Sequence, residues 1–277
     1  KVNDLKQLIE NELINFNGEV SIYASDLKGH TLEMNSSEVQ NPASCIKVFI
    51  LVELMRALYF KEKNLTDTLI YEEKYDVIGS GVLHLLSPGV ELSVINVATL
   101  MMVISDNVAT NMMIDYLGIE RINQTIREIG CTNTELYGPF DYSHSKPFSK
   151  TTASDYALVF EKIIKKELWA SSISDQIIAI MKKGKYHEMV GDGISKTLQK
   201  SNSELIHYVA TKSGKENQVR NDGGIVSTKY GDYVLCIFIH NFNDSYNAND
   251  EDVYRLGRNI SNIFFQRYIA LQGQFTK

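Results

Sequence analysis

Residues 41–58 read NPASCIKVFILVELMRAL. Pro42 is a typical helix-entry residue, and the apolar run behind it predicts a long helix from about Ser44. Ser44 and Lys47 lie three residues apart, so on that helix their side chains stack on one face. A hydroxyl beside an amine is a candidate nucleophile and base. The N–H groups that open a helix favour developing negative charge. Taken alone, the pair also reads as a capping serine with a snorkelling lysine. The S-x-x-K spacing recurs at Ser25/Lys28, in a hairpin turn, and at Ser143/Lys146, in a polar loop with Pro147. Only Ser44/Lys47 opens an apolar helix.

Outward from this helix the chain divides by hydrophobic period. Residues 4–16 predict an amphipathic helix, with Leu5, Leu8, Ile9 and Leu13 at helical spacing. EVSIYASD and HTLEM alternate around LKG and predict a hairpin. Residues from about 60 to 170 read as mostly helical, with turns at IGSG and LSPG. VINVATLMMVI is apolar nearly all round, as a buried helix is. LIHYVATKSG, DGGIVSTKYG and YVLCIFIHNF predict three antiparallel strands, and a helix over about 250–271 closes the chain. Strands at both ends with helices between predict an α+β domain over residues 1–277. One lobe, about 1–43 plus 170–277, holds an antiparallel sheet built from both chain ends and flanked by the terminal helices. The other, 44–169, is mostly helical, and a cleft between lobes suits a small ligand.

Composition narrows the partners. The 277 residues suffice for a sizeable core, and the formal net charge of −6 comes with no basic stripe, which argues against nucleic acid. VFILV and VLCIFI are far too short to span a bilayer. Cys45, Cys131 and Cys236 are odd in number and match no zinc spacing, so they read as structural or free thiols. His84, His187, His207 and His240 fit no metal pattern either. The opening KVNDLKQLIE carries no signal-peptide pattern.

Two further stretches give the Ser44/Lys47 pair a context. ISDNVATN carries Ser105, Asp106 and Asn107 just after the predicted buried helix; alone it reads as a cap or turn. VATKSGKEN carries Lys212, Ser213 and Gly214 at a strand end; alone it reads as a turn exit. With SCIK, SDN and KSG in this order, and with GSGVL at 79–83 and VRND at 219–222, the chain resembles the class A serine β-lactamases and their penicillin-binding relatives. The resemblance covers almost the whole chain.

It implies a role for each matching residue. Ser44 is the nucleophile that opens the lactam. Lys47 takes its proton once a second cation, Lys212, lowers the pKa of its ammonium. Ser105 relays a proton to the departing nitrogen. Asn107 binds the substrate's amide side chain, and Ser213 and Arg220 bind its carboxylate. The backbone N–H groups of Ser44 and Lys215, the latter next to Gly214, form the oxyanion hole. The resemblance also implies no cofactor or metal, a β-lactam or peptidoglycan-like peptide as partner, a monomer, and a secreted or cell-envelope location.

The sequence departs from the family in one place. Class A enzymes carry a deacylating glutamate in an E-x-x-L-N motif, and residues 135–160, ELYGPFDYSHSKPFSKTTASDYALVF, contain none. Asp141 is the best-placed carboxylate, with Tyr142 and His144 as polar alternatives. Loss of an acid–base group typically costs about 10² to 10⁴ in rate, so the expectation is an acyl-enzyme that water releases slowly. The alternatives are a D-alanyl-D-alanine carboxypeptidase or esterase on the same frame, and a non-catalytic penicillin-binding or sensing domain.

Overall fold

YVLCIFIH is apolar at successive positions, which a strand tolerates only when both faces are covered. The computed structural model, which describes residues 2–194, 204–242 and 250–277, places this run in the middle of a sheet. Strand β10 (Gly231–His240) lies between β1 (Glu19–Ser25) and β9 (Val219–Thr228), all antiparallel. The order β2-β1-β10-β9-β7 is completed by β2 (Thr31–Met34) and β7 (Ile206–Thr211), with β8 (Gly214–Glu216) also pairing β9. Alternate residues of β10 enter two cores. Tyr233, Leu235, Ile237 and Ile239 meet α1 (Val2–Leu13) and α8 (Asp250–Ala270) through Leu5, Ile9, Ile260 and Phe264. Val234, Cys236 and Phe238 meet α6 (Ala153–Ile164) through Tyr156 and Phe160.

The sheet built from both chain ends and its terminal helices stand as expected. The opening helix ends at Leu13 rather than near residue 16, because Asn15, Asn17 and Gly18 favour a turn. The expected strand through KSG is interrupted: Thr211 pairs with Gly224 and Gly214 with Asn221, while Ser213 between them has no ladder partner on β9, where Asp222 pairs only with Ile237 of β10. The Asp222 carboxylate is taken instead by the N–H groups of Met189 and Val190.

The second core is helical. Helix α2 (Lys47–Tyr59) is buried along almost its whole length by α3 (Val94–Val103), α4 (Asn107–Leu117), α5 (Ile119–Glu128) and α7 (Ser171–Met181). Helix α7 packs here through Ile173, Ile177 and Met181, so the helical cluster extends past the boundary expected near residue 170. Two short ribbons, β3 (Thr68–Ile70) with β4 (Glu91–Ser93) and β5 (Glu135–Leu136) with β6 (Ser149–Lys150), interrupt the region read as helical.

Burying α2 on all sides encloses three charged side chains, Lys47, Glu53 and Arg56, of which the last two pair with each other. The Arg56 guanidinium donates to both carboxylate oxygens of buried Glu53, at 2.7 and 3.0 Å, and to Glu62. Removing one partner of such a pair strands the other, at a cost of about 3–5 kcal/mol, whereas replacing both with apolar groups is often close to neutral. Urea unfolding should therefore find Arg56→Ala destabilised by about that amount, with Glu53→Met/Arg56→Met recovering most of it.

Candidate active site

The nucleophile candidate sits on a 3-10 turn, Ala43–Ile46, one turn ahead of α2. Asn41 shapes that turn: its side-chain oxygen accepts from the Ala43 N–H at 2.8 Å, and Ala43 takes a left-handed φ of 48°. Gly214 backs the turn. A Cβ there would lie 2.5 Å from the Pro42 carbonyl oxygen and 2.9 Å from the Ser44 nitrogen. The third residue of KSG is thus small because β8 runs hard against the Ser44 backbone.

Lys47 opens α2 and is fully buried. Its Nζ donates to the Ser105 carbonyl at 2.7 Å, the Ser105 Oγ at 2.9 Å and the Asn107 Oδ1 at 2.8 Å. Ser105 offers both oxygens to one amine because it adopts a left-handed φ of 58° between α3 and α4. Asp106 then caps α4 through the Ala109 N–H, and its other oxygen accepts from the Val82 and Leu83 N–H groups at 2.7 and 3.0 Å. This ties GSGVL to SDN. Gly81, at φ 108°, comes so close that a Cβ would lie 2.3 Å from the Asp106 carboxyl.

Lys212 arrives from the sheet, where the chain breaks between β7 and β8. Its Nζ donates to Ser105 Oγ at 3.1 Å and to the Ser213 carbonyl at 2.7 Å. Its own carbonyl accepts from the Tyr156 hydroxyl at 2.6 Å and, at 3.4 Å, from the Cys45 thiol. Two buried amines thus share one hydroxyl. Burial first, and the Lys212 charge second, hold the Lys47 ammonium well below its ordinary range. Burial also lowers Lys212, to about 8. Ser105 Oγ accepts from both amines, so its own proton is directed away from them, toward whatever occupies the cleft.

That cleft encloses about 620 Å³ and is lined by Ser44, Asn41, Lys215 and Glu216 on one wall and by Ile78, Gly79, Ser80 and Asn107 on another. Tyr142, His144, Lys146 and Phe148 close it from the loop before β6. Ser44, Lys47, Ser105, Asn107, Lys212, Ser213 and Gly214 therefore converge as the sequence implied. Asn107 is already engaged, its Oδ1 by Lys47 and its Nδ2 by the Ile78 carbonyl at 3.2 Å.

Three expectations need correction or refinement. Arg220 does not reach the cleft. Alternation along β9 turns it to the α8 face, where it is fully buried, donates to the Glu216 and Val219 carbonyls at 2.6 and 2.8 Å, and lies over Phe242 and Tyr254. Asp141 is exposed and accepts from the Ser143 N–H at 2.8 Å, and hydrogen bonds from Ser143, its hydroxyl foremost and then its N–H, lower its pKa as in an ordinary loop turn. It lines an adjoining hollow with Tyr137, Gly138 and Pro139, which shares His144, Lys146 and Phe148 with the cleft, and does not itself line the cleft. The Lys215 ammonium turns away from Ser44 and lies over Tyr254, leaving its backbone to the cleft.

Sequence reasoning missed Phe140. Its ring centroid lies 5.0 Å from Lys47 Nζ. Asn111 on α4 fixes it there, accepting from the Phe140 N–H at 2.8 Å and donating to its carbonyl at 3.0 Å. The loop expected to present a base thus presents an aromatic face to the buried amine. Tyr156, which bonds the Lys212 carbonyl across 56 residues, was also illegible in sequence.

The chain belongs to the beta-lactamase enzyme family, whose model matches residues 4–268. It is a beta-lactamase-related hydrolase in an α+β fold shared with solved members. It is 26% identical to PBP-A over 97% of this chain and 96% of that one, with a TM-score of 0.84. A leucine-to-glutamate variant of PBP-A, also 26% identical over 97% of each chain, has been solved as an acyl-enzyme complex with penicillin G. Likeness of fold extends to a beta-lactamase from Sphaerobacter thermophilus DSM 20745, 23% identical over 99% of this chain and 98% of that one, with a TM-score of 0.84. It extends further to a class A beta-lactamase from Bacteroides cellulosilyticus DSM 14838, 16% identical over 98% of each chain, with a TM-score of 0.79. No curated protein sequence matches the chain.

The paired amines make a pH prediction. A neighbouring cation disfavours the protonated form of Lys47, so removing it raises that pKa. The rate of Ser44 acylation should rise with pH through the lowered Lys47 range, and Lys212→Ala should move that rise to higher pH. Rapid-mixing acylation rates with a chromogenic β-lactam across pH would read the shift.

Proposed function

We propose that Ser44 is acylated by β-lactams and by peptidoglycan-like peptides, and that the acyl-enzyme is released slowly by water. Neutral Lys47 takes the Ser44 proton as Oγ attacks the lactam carbonyl. The oxyanion forms against the N–H groups of Ser44 and Lys215. Ser105 passes its proton to the nitrogen as the C–N bond breaks and takes in its place the proton that Lys47 collected, across the 2.9 Å Lys47–Ser105 hydrogen bond, leaving an ester on Ser44 and Lys47 neutral again. Lys212 attracts the substrate carboxylate without help from Arg220. The observation that carries slow release is the Phe140 ring over Lys47, where attack by water on the ester calls for a base. Among the described residues lining the cleft the only carboxylate is Glu216, which hydrogen-bonds Asn41 on the wall that also holds Ser44. The same deficit favours a second reading, a D-alanyl-D-alanine carboxypeptidase inhibited by penicillins.

Intact-mass measurement with benzylpenicillin tests the assignment. The wild type should accumulate a one-to-one adduct, and Ser44→Ala should form none; an adduct persisting on that variant would move the nucleophile elsewhere, with Cys45 the first to map. Buried Cys45, its thiol pushed up to about 12, is a poor competitor.

Turnover should show a burst about stoichiometric with enzyme before a slow steady state. Phe140→Glu, which brings a carboxyl beside Lys47, should shorten the adduct's lifetime by roughly 10-fold or more. Asp141→Asn should leave that lifetime within about twofold, because its carboxylate serves a loop turn. Fast linear turnover by the wild type would refute slow release.

A further inference from the structure

Asn41, which shapes the Ser44 turn, is itself held at three atoms. Its Oδ1 accepts from the Ala43 N–H, its Nδ2 donates to Glu216 Oε2 at 2.7 Å, and its backbone carbonyl accepts from the Asn221 Nδ2 at 2.9 Å. The sheet register brings Asn221 to that carbonyl. Asn221 pairs with Gly214 of β8, and facing residues of an antiparallel pair share a side of the sheet, so Asn221 points to the turn that Gly214 backs. On β10 it pairs with Phe238, and His240, two residues on, stands on that side as well. The His240 Nε2 lies 2.8 Å from the Asn221 Oδ1. A row of hydrogen bonds thus runs from the end of β10 through His240, Asn221 and Asn41 to Ala43, with Asn221 and His240 both buried.

The directions along this row are forced. A backbone carbonyl only accepts, so the Asn221 amide turns its NH2 to Asn41 and its oxygen to His240. That oxygen also only accepts, so His240 carries a proton on Nε2. Burial holds the His240 pKa down at about 4, so the ring is neutral and a single tautomer serves. Neither residue lines the cleft, and the acylation chemistry uses neither directly.

We propose that His240 and Asn221 are positioning residues for acylation: the Nε2–H of His240 fixes the Asn221 amide, which holds Asn41 where it sets the left-handed turn at Ala43 and, with it, the Ser44 hydroxyl and N–H. The proposal rests on Ser44 being the acylated residue. Both groups act through Asn41 and touch no substrate. Their loss therefore slows acylation without weakening penicillin binding, since a misplacement of about 1 Å costs a reaction about 10²-fold.

Side-chain geometry supplies the test. The amide nitrogen of glutamine stands as many bonds from Cβ as the histidine Nε2, whereas that of asparagine matches Nδ1. Intact-mass time courses over a series of benzylpenicillin concentrations give a limiting acylation rate and a half-saturating concentration. His240→Gln should stay within about threefold of the wild type in both, because the donor is kept. His240→Asn and Asn221→Ala should each lower the limiting rate by about tenfold or more and leave half-saturation within about twofold. Since neither residue moves a proton, His240→Asn should leave the shape of the acylation pH profile unchanged, and nitrogen NMR should place the wild-type His240 proton on Nε2. Equal limiting rates in His240→Gln and His240→Asn overturn the proposal, whether both are fast or both slow; the slow case would make the ring a packing element only. A proton on Nδ1, or a loss confined to the half-saturating concentration, overturns it too. No adduct on the wild type would instead refute acylation of Ser44, and this role with it; once the wild type forms its adduct, the variants judge the hydrogen-bonded row alone.

Discussion

A lysine ammonium with no access to water is the constraint around which this molecule is arranged. Burying a charge is costly unless every donor is met. Lys47 meets three acceptors, two of them on Ser105 and one on Asn107. Satisfying them requires a left-handed residue between α3 and α4. That in turn places Asp106 to cap α4 and to grip the N–H groups of Val82 and Leu83. Glycines 79 and 81, both at φ 108°, let that loop approach where a side chain would collide. The helical region near the cleft is therefore organised from one amine outward.

The sheet contributes the second amine. Lys212 reaches Ser105 Oγ because the strand breaks between Thr211 and Gly214, and its carbonyl is fixed by Tyr156 from α6. Two like charges about one hydroxyl favour proton loss from the more buried of them, which suits an amine that must accept a proton. The same crowding does nothing for a water molecule on the other side of an ester. On the proposed reading, the two halves of the reaction are unequally equipped: the acylating half has both lysines and Ser105, while the releasing half meets the Phe140 ring.

The sequence disclosed the elements that depend on local pattern. The alternation around LKG, the continuous apolar run in β10 and the buried character of VINVATLMMVI each reflect which faces are covered, and burial writes itself into residue type. The three motifs were legible for a similar reason. Each sits at an element boundary where serine, aspartate or glycine has a backbone role as well as a chemical one, as Asp106 does in capping α4 and Gly214 in backing Ser44.

Side-chain direction was less legible where the strand ladder is broken. Arg220 was expected at the cleft from the family resemblance of VRND, yet a one-residue step along β9 sends a side chain through to the other core. Asp141 was the nearest carboxylate in the chain and Phe140, beside it, was passed over, although the tertiary structure points the ring at Lys47. What the sequence by itself determined was the order of strands and helices, the membership of the nucleophile cluster and the want of a glutamate motif. These are properties of periodicity and of residues near one another in the chain. Only the tertiary structure decided which face of β9 holds Arg220, which residue of the loop meets the buried amine, and that Glu216 shares a wall with Ser44. Those depend on register and on contacts between segments far apart in sequence, and no local pattern encodes them.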